Sequence, residues 1–135
     1  MTDADLLAKR LAFIETSIQE LRTHARPDQI KDDIQNRRFV EHTLQLAIQA
    51  ALDVASHVVS DLRLGEPATN RALFDLLIEA GWVPRDLGEI LGDMAGLRNV
   101  LVHGYTEVDL GIVQDVVVNR LGDLEAFVDA IRRRL

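Results

Sequence analysis

A chain of 135 residues with a net charge of −7, 47% hydrophobic and 27% charged residues, and no cysteine excludes several classes of protein. It is long enough to bury one core and too apolar for wholesale disorder, and without cysteine it can form no disulfide, thiol nucleophile or Cys-ligated zinc site. The acidic balance argues against coating nucleic acid non-specifically, which needs clustered Lys and Arg, but it leaves room for a small basic cleft.

No segment approaches the roughly 20 consecutive apolar residues that a bilayer requires, so no membrane association is expected. Met1-Thr2-Asp3-Ala4-Asp5 is acidic and lacks the basic-then-apolar plan of a signal peptide, which gives a cytoplasmic expectation.

Helical periodicity runs through nearly the whole chain. Leu7, Leu11, Ile14, Ile18 and Leu21 form an apolar stripe that predicts a first helix over residues 4–24, which Pro27 then breaks. Asp28 is placed to start or cap the next helix. The second and longest stripe runs from Val40 through Leu44, Ala47, Ile48, Ala51 and Ala55 to Leu62, with an exit at Gly65 and Pro67 just beyond. A short third helix is predicted over Asn70 to Ala80, capped by Asn70 and stopped by Gly81. Pro84 suits a helix first turn, so a fourth helix runs to His103, with Gly104 as its exit. A fifth, from about Leu110, turns Val113, Val116, Val117, Leu121, Leu124, Phe127, Val128 and Ile131 inward, and Arg132-Arg133-Arg134 suits its C-terminal dipole. Five helices with short loops predict an all-α antiparallel bundle in one domain spanning 1–135.

Within the fourth helix Gly88, Gly92 and Gly96 recur every four residues. Each costs about 1 kcal/mol of helix propensity relative to Ala, so close approach of another backbone should offset it. The expected partner is the long second helix, and the alternative is the fourth helix of a second copy.

The chemistry concentrates in Arg98-Asn99-Val100-Leu101-Val102-His103-Gly104-Tyr105. Arginine holds phosphate, histidine moves protons near neutral pH, and a tyrosine just past a helix end is a contact or modification site. At 3.6 residues per turn Asn99 and His103 lie about 40° apart, whereas Arg98 and His103 are about 140° apart. Asn99 can therefore support the imidazole and fix its tautomer, while Arg98 reaches the same site by its length or serves one completed by a second subunit. Leu97, Val100, Leu101 and Val102 are expected to anchor the segment in the core.

A metal-independent ribonuclease would use these groups directly: His103 as general base or acid, Arg98 to stabilise charge on the phosphate. One motif holds a single histidine, so a two-fold dimer would supply both acid and base. The plain alternative is structural, because a His near a helix C-terminus, a Gly after it and an Arg one turn back all have ordinary roles there.

Arg98, four residues, His103, one residue, Tyr105 resembles the R-x(4)-H-x-Y signature of the HepT-like branch of the HEPN superfamily. The segments 37–57, 94–99 and 102–105 are similar to that family's second and fourth helices. The resemblance implies a dimeric HEPN-like helical domain whose paired motifs line a shared cleft, and a toxin acting on RNA within a type VII toxin-antitoxin module. It implies a minimal nucleotidyltransferase antitoxin as partner, with a toxin–antitoxin hetero-oligomer as the larger assembly, and AMP addition to Tyr105 as the off-switch. By position, Arg98 and His103 would be catalytic and Asn99 supporting. The alternative function is a non-catalytic HEPN subunit that binds nucleotide or docks the nucleotidyltransferase.

Other candidates carry less. Arg37 and Arg38 extend a phosphate cleft or form a solvated helix face. Asp53 falls among apolar positions, with Arg98 as a candidate partner. Glu41 and His42 lack a third ligand at workable spacing, so no metal and no cofactor are expected.

Overall fold

The computed structural model describes residues 3–103 and 108–135; Gly104 and Tyr105, the exit and the modification site of the motif, lie outside them. Among the described residues the chain is helical and has no strand.

Helix α1 (Ala4–His24) covers the predicted span and buries Leu7, Leu11, Ile14, Ile18 and Leu21, with Asp3 capping the amide of Leu6 at 3.1 Å. Asp28 does not start the next helix. Pro27–Gln29 forms a short 3-10 turn, and α2 (Ile34–Asp61) is capped instead by Asp33, whose carboxylate accepts from the Asn36 amide at 3.1 Å. The connection is held by the buried Asn36 side chain, which accepts from Arg26 N at 2.9 Å and donates to Arg26 O at 2.8 Å. An Arg26–Asp33 ion pair and the buried side chain of Ile30 complete the connector.

Helix α2, 28 residues long, ends before the predicted glycine. Arg63, at φ +52°, takes the left-handed position, with Arg63 N bonding Ser60 O at 3.2 Å and Leu64 N bonding Val59 O at 3.0 Å. That pair of bonds is a Schellman motif built on arginine rather than glycine. At the end of α3 (Asn70–Glu79) the same motif is built on Gly81, as predicted, at φ +77°. The cap of α3, however, is Thr69, whose hydroxyl accepts from Ala72 N at 3.1 Å, and Asn70 is the first helical residue.

Helix α4 (Arg85–His103) pairs with α3, and the glycine stripe explains how. A Cβ on Gly88 would lie 2.4 Å from Ile78 Cδ1, and one on Gly92 would lie 2.8 Å from Arg71 Nη1, so the close partner is α3 rather than α2. Gly96 faces outward, and among the described residues nothing beyond its own helix backbone comes within 4 Å of its Cβ position. The expected last helix is interrupted: α5 (Leu110–Asp115) passes through a wide π turn at Val116–Arg120 into α6 (Leu121–Arg132). All eight residues expected to face inward are buried, so the extra backbone residue is accommodated without losing the apolar face.

One continuous core joins all six helices. Phe74 of α3 meets Phe127 of α6 edge to face at 6.0 Å. Ion pairs between Arg132 and Glu15 and between Arg22 and Glu125, both 2.7 Å, tie α6 to α1. Their hydrogen bonds hold both carboxyls below the usual carboxylate range and raise both guanidinium groups. At the C-terminus Arg134 lies over the Trp82 ring at 4.8 Å and donates to Gly81 O.

Candidate active site at the end of α4

The last two turns of α4 rise out of the core. Leu97 is buried and the half-buried Leu101 packs against the core, but Val102 is half-buried without joining it and Val100 is exposed, so two of the four expected anchors hold the helix down. The reason is positional: on a 3.6-residue period Val100 shares the outward sector with Gly96, Asn99 and His103.

Asn99 and His103 share that exposed face, as the spacing predicts. Among the described residues no hydrogen bond joins them. The Asn99 carbonyl accepts instead from Arg98 Nη1 at 3.0 Å, so the amide positions the guanidinium rather than the imidazole. Arg98 is half-buried, and its Nε is a buried donor with no acceptor among the described residues. A buried N–H without a partner is destabilising by about 1–3 kcal/mol and rare in native structures, which marks the group as poised for an acceptor from outside. His103, at the helix end, is exposed and open to solvent.

Arg37 and Arg38 lie on the rim of a neighbouring cleft of about 430 Å³. Its α2 wall consists of those two residues with Glu41, His42 and Gln45. The opposite wall is apolar and is made of Leu101, Val108 and Leu110. The structure therefore brings Arg37 and Arg38 beside the motif helix through Leu101, which sits between Arg98 and His103 in sequence, while neither of those two lines the cleft. Glu41, His42 and Gln45 were missed as site residues. Their signal was the 37/41/45 and 38/42 spacing, which puts all five on one face of α2.

Asp53 does not meet Arg98: it pairs with Arg10 at 3.7 Å and accepts from Gln49 Nε2 at 2.9 Å. Among the described residues no cluster of His, Asp or Glu is arranged to hold a metal ion, and no helix is long and apolar enough to cross a membrane.

An arginine with an open donor, an exposed histidine five residues on and an adjacent two-arginine cleft form a site suited to an anionic polymer. A model of the ribonuclease HepT-like family matches residues 14–131. An mRNA nuclease HepT of Shewanella oneidensis is 33% identical over 129 residues, spanning 95% of this chain and 97% of that one. A tRNA nuclease HepT of Aphanizomenon flos-aquae is 34% identical over 85 residues, 61% of this chain and 56% of the relative. Among solved structures, a tri-AMPylated Shewanella oneidensis HEPN toxin in complex with an MNT antitoxin is similar with a TM-score of 0.88 at 33% identity, covering 98% of this chain and 99% of the other. With its helical bundle, its motif at the end of α4 and a family match over most of its length, the chain belongs to the ribonuclease HepT-like family.

Proposed function

We propose that this chain, as a single domain over 1–135, is a metal-independent endoribonuclease and the toxin of a type VII toxin-antitoxin pair acting in the cytoplasm. The observation that carries the reading is the buried Nε of Arg98, without an acceptor among the described residues, on the same helix end as the exposed His103. The relatives named as mRNA and tRNA nucleases support it.

The reaction follows from the groups. One His103 takes the proton of a ribose 2′-hydroxyl, and the oxygen attacks the adjacent phosphorus. The bond to the 5′-oxygen breaks, and that oxygen leaves with a proton from a second imidazole. Arg98 neutralises the charge that builds on the phosphate oxygens, with Asn99 holding its guanidinium plane. The second imidazole comes from a second copy. The outward face of Gly96, Asn99, Val100 and His103 supports a homodimer, because Gly96 has open space beside it and Val100 is a 39% exposed apolar residue between two polar ones.

Regulation is assigned by the same reading to a cognate nucleotidyltransferase antitoxin that adds AMP to Tyr105, in a toxin–antitoxin hetero-oligomer. The complex of a tri-AMPylated HEPN toxin with its MNT antitoxin supports it. Purified protein is expected to cut RNA in EDTA and leave 2′,3′-cyclic phosphate and 5′-hydroxyl ends. Undiminished cutting by His103→Ala overturns the assignment. Coexpression with the antitoxin should raise the mass of the peptide carrying Tyr105 in AMP steps, and modification of another residue would refute the switch.

A further inference from the structure

We infer that the cleft between α2 and the end of α4 is a nucleotide subsite that holds the RNA unit next to the cleaved bond and selects its base. The inference rests on the ribonuclease reading above and deepens it.

The cleft has the two halves that a nucleotide needs. Its volume of about 430 Å³ falls in the range of small-molecule pockets. Its charged lining is two arginines, Arg37 and Arg38, against one carboxylate, Glu41, so in a chain whose overall charge is −7 the cleft is locally cationic where a phosphate would bind. Arg37 is steadied by donating to Lys31 O at 3.3 Å, and Arg38 has no ion-pair or hydrogen-bond partner among the described residues, leaving its fork free for phosphate oxygens. The other half is a wall of Leu101, Val108 and Leu110, against which the face of a base can lie, and His42 also lines the cleft.

Glu41 and Gln45 also line the cleft, one turn apart on α2 and both half-buried. A carboxylate only accepts hydrogen bonds, so Glu41 favours a base edge bearing an amino group and repels one bearing carbonyl oxygens on both sides of a single N–H. Adenine, cytosine and guanine satisfy that condition and uracil does not. Glu41 and Gln45 are thus specificity-determining residues, while Arg37 and Arg38 bind without regard to sequence. Leu101 carries the cleft to the arginine side of the motif: on α4 it lies about 60° from Arg98 and about 160° from His103, so a phosphate held by Arg98 and a nucleotide in the cleft would be neighbours on one strand.

The test uses the full chain and the four nucleoside 5′-monophosphates, followed through the histidine ring resonances, with the His42 signal assigned from a His42→Asn variant. AMP, CMP and GMP are expected to shift the His42 signal saturably and UMP several-fold more weakly. Arg38→Ala should weaken binding by about tenfold, as expected for loss of one charge-assisted fork. Glu41→Gln, whose amide both donates and accepts, should narrow the gap between UMP and the others. A short single-stranded RNA made uncleavable by 2′-deoxy substitution should displace the mononucleotide. A His42 signal indifferent to all four nucleotides overturns the subsite, and so does a UMP affinity equal to the rest in the unmodified chain. Nucleotide binding without displacement by RNA overturns the assignment to RNA. Binding and displacement in a chain that cuts no RNA would retain the subsite and remove only the nuclease reading.

Discussion

Arg98 and Asn99, adjacent on the last turns of α4, are joined by a hydrogen bond from Nη1 to Oδ1 of 3.0 Å, while Nε of the same guanidinium stays buried and unused. The motif's amide therefore acts on the cation. Asn99→Ala should leave the fold intact, because the residue is exposed, yet lower RNA cleavage by roughly tenfold through a looser guanidinium. Arg98→Lys should fare worse, since an ammonium cannot reproduce the fork. Initial rates in EDTA, with far-UV circular dichroism as a folding control, check both, and an Asn99→Ala protein of full activity would contradict this role.

The three glycines of α4 should respond differently to alanine. Gly88→Ala meets Ile78 carbons at 2.4 Å and should be destabilising by about 1–3 kcal/mol through overpacking. Gly92→Ala meets mainly the flexible side chain of Arg71, which can give, so its loss should be smaller. With open space at Gly96, Gly96→Ala should stabilise the protomer by up to about 1 kcal/mol from helix propensity alone. Urea unfolding of the three variants reads the order directly, and equal effects would contradict the pairing of α3 with α4.

Asn36 offers a test of the connector between α1 and α2. Its buried amide pairs with both the N–H and the carbonyl of Arg26, and because that carbonyl also accepts from Gln29 N at 3.0 Å, Asn36→Ala leaves the Arg26 N–H unpaired and should be destabilising by about 1–3 kcal/mol. Asn70→Ala, by contrast, should be nearly silent, because Thr69 performs the capping of α3. The two midpoints in urea separate the cases.

The α1–α6 ion pairs set a pH dependence of definite sign. Glu15 and Glu125 have folded pKa values below the ordinary 4.5 because Arg132 and Arg22 donate to them. A group lowered in the folded state contributes above its unfolded pKa and loses that contribution as pH falls through the folded value. The effect should therefore be present at neutral pH and be lost as pH falls below the ordinary 4.5 and through the lowered folded values. All four side chains are nearly half exposed, so each pair should contribute under about 1 kcal/mol, and less in high salt. Arg132→Met should flatten the acid limb of the stability profile slightly, as read by urea midpoints across pH.

Local elements were legible in the residues wherever a single rule decided them. The α1 span, the Gly81 stop and the inward faces of α5 and α6 follow from apolar period and helix-stop chemistry acting over one or two turns. Where two residues competed for one role, sequence reasoning chose the wrong one: Asp33 caps α2 instead of Asp28, Thr69 caps α3 instead of Asn70, and Arg63 takes the left-handed position ahead of Gly65. Each choice depends on where the chain must turn to reach its next packing partner, a constraint that no window of ten residues contains.

The site divides along the same line. By itself the sequence determined the identity and face of Arg98, Asn99 and His103, because helix geometry follows from spacing along one continuous backbone. Tertiary packing alone decided that Gly88 and Gly92 meet α3, that Asp53 pairs with Arg10, and that the wall of Arg37, Arg38, Glu41, His42 and Gln45 stands opposite Leu101 to enclose a cleft. Those relations join separate helices, and their distances are set by how whole helix faces bury together rather than by local conformational preference.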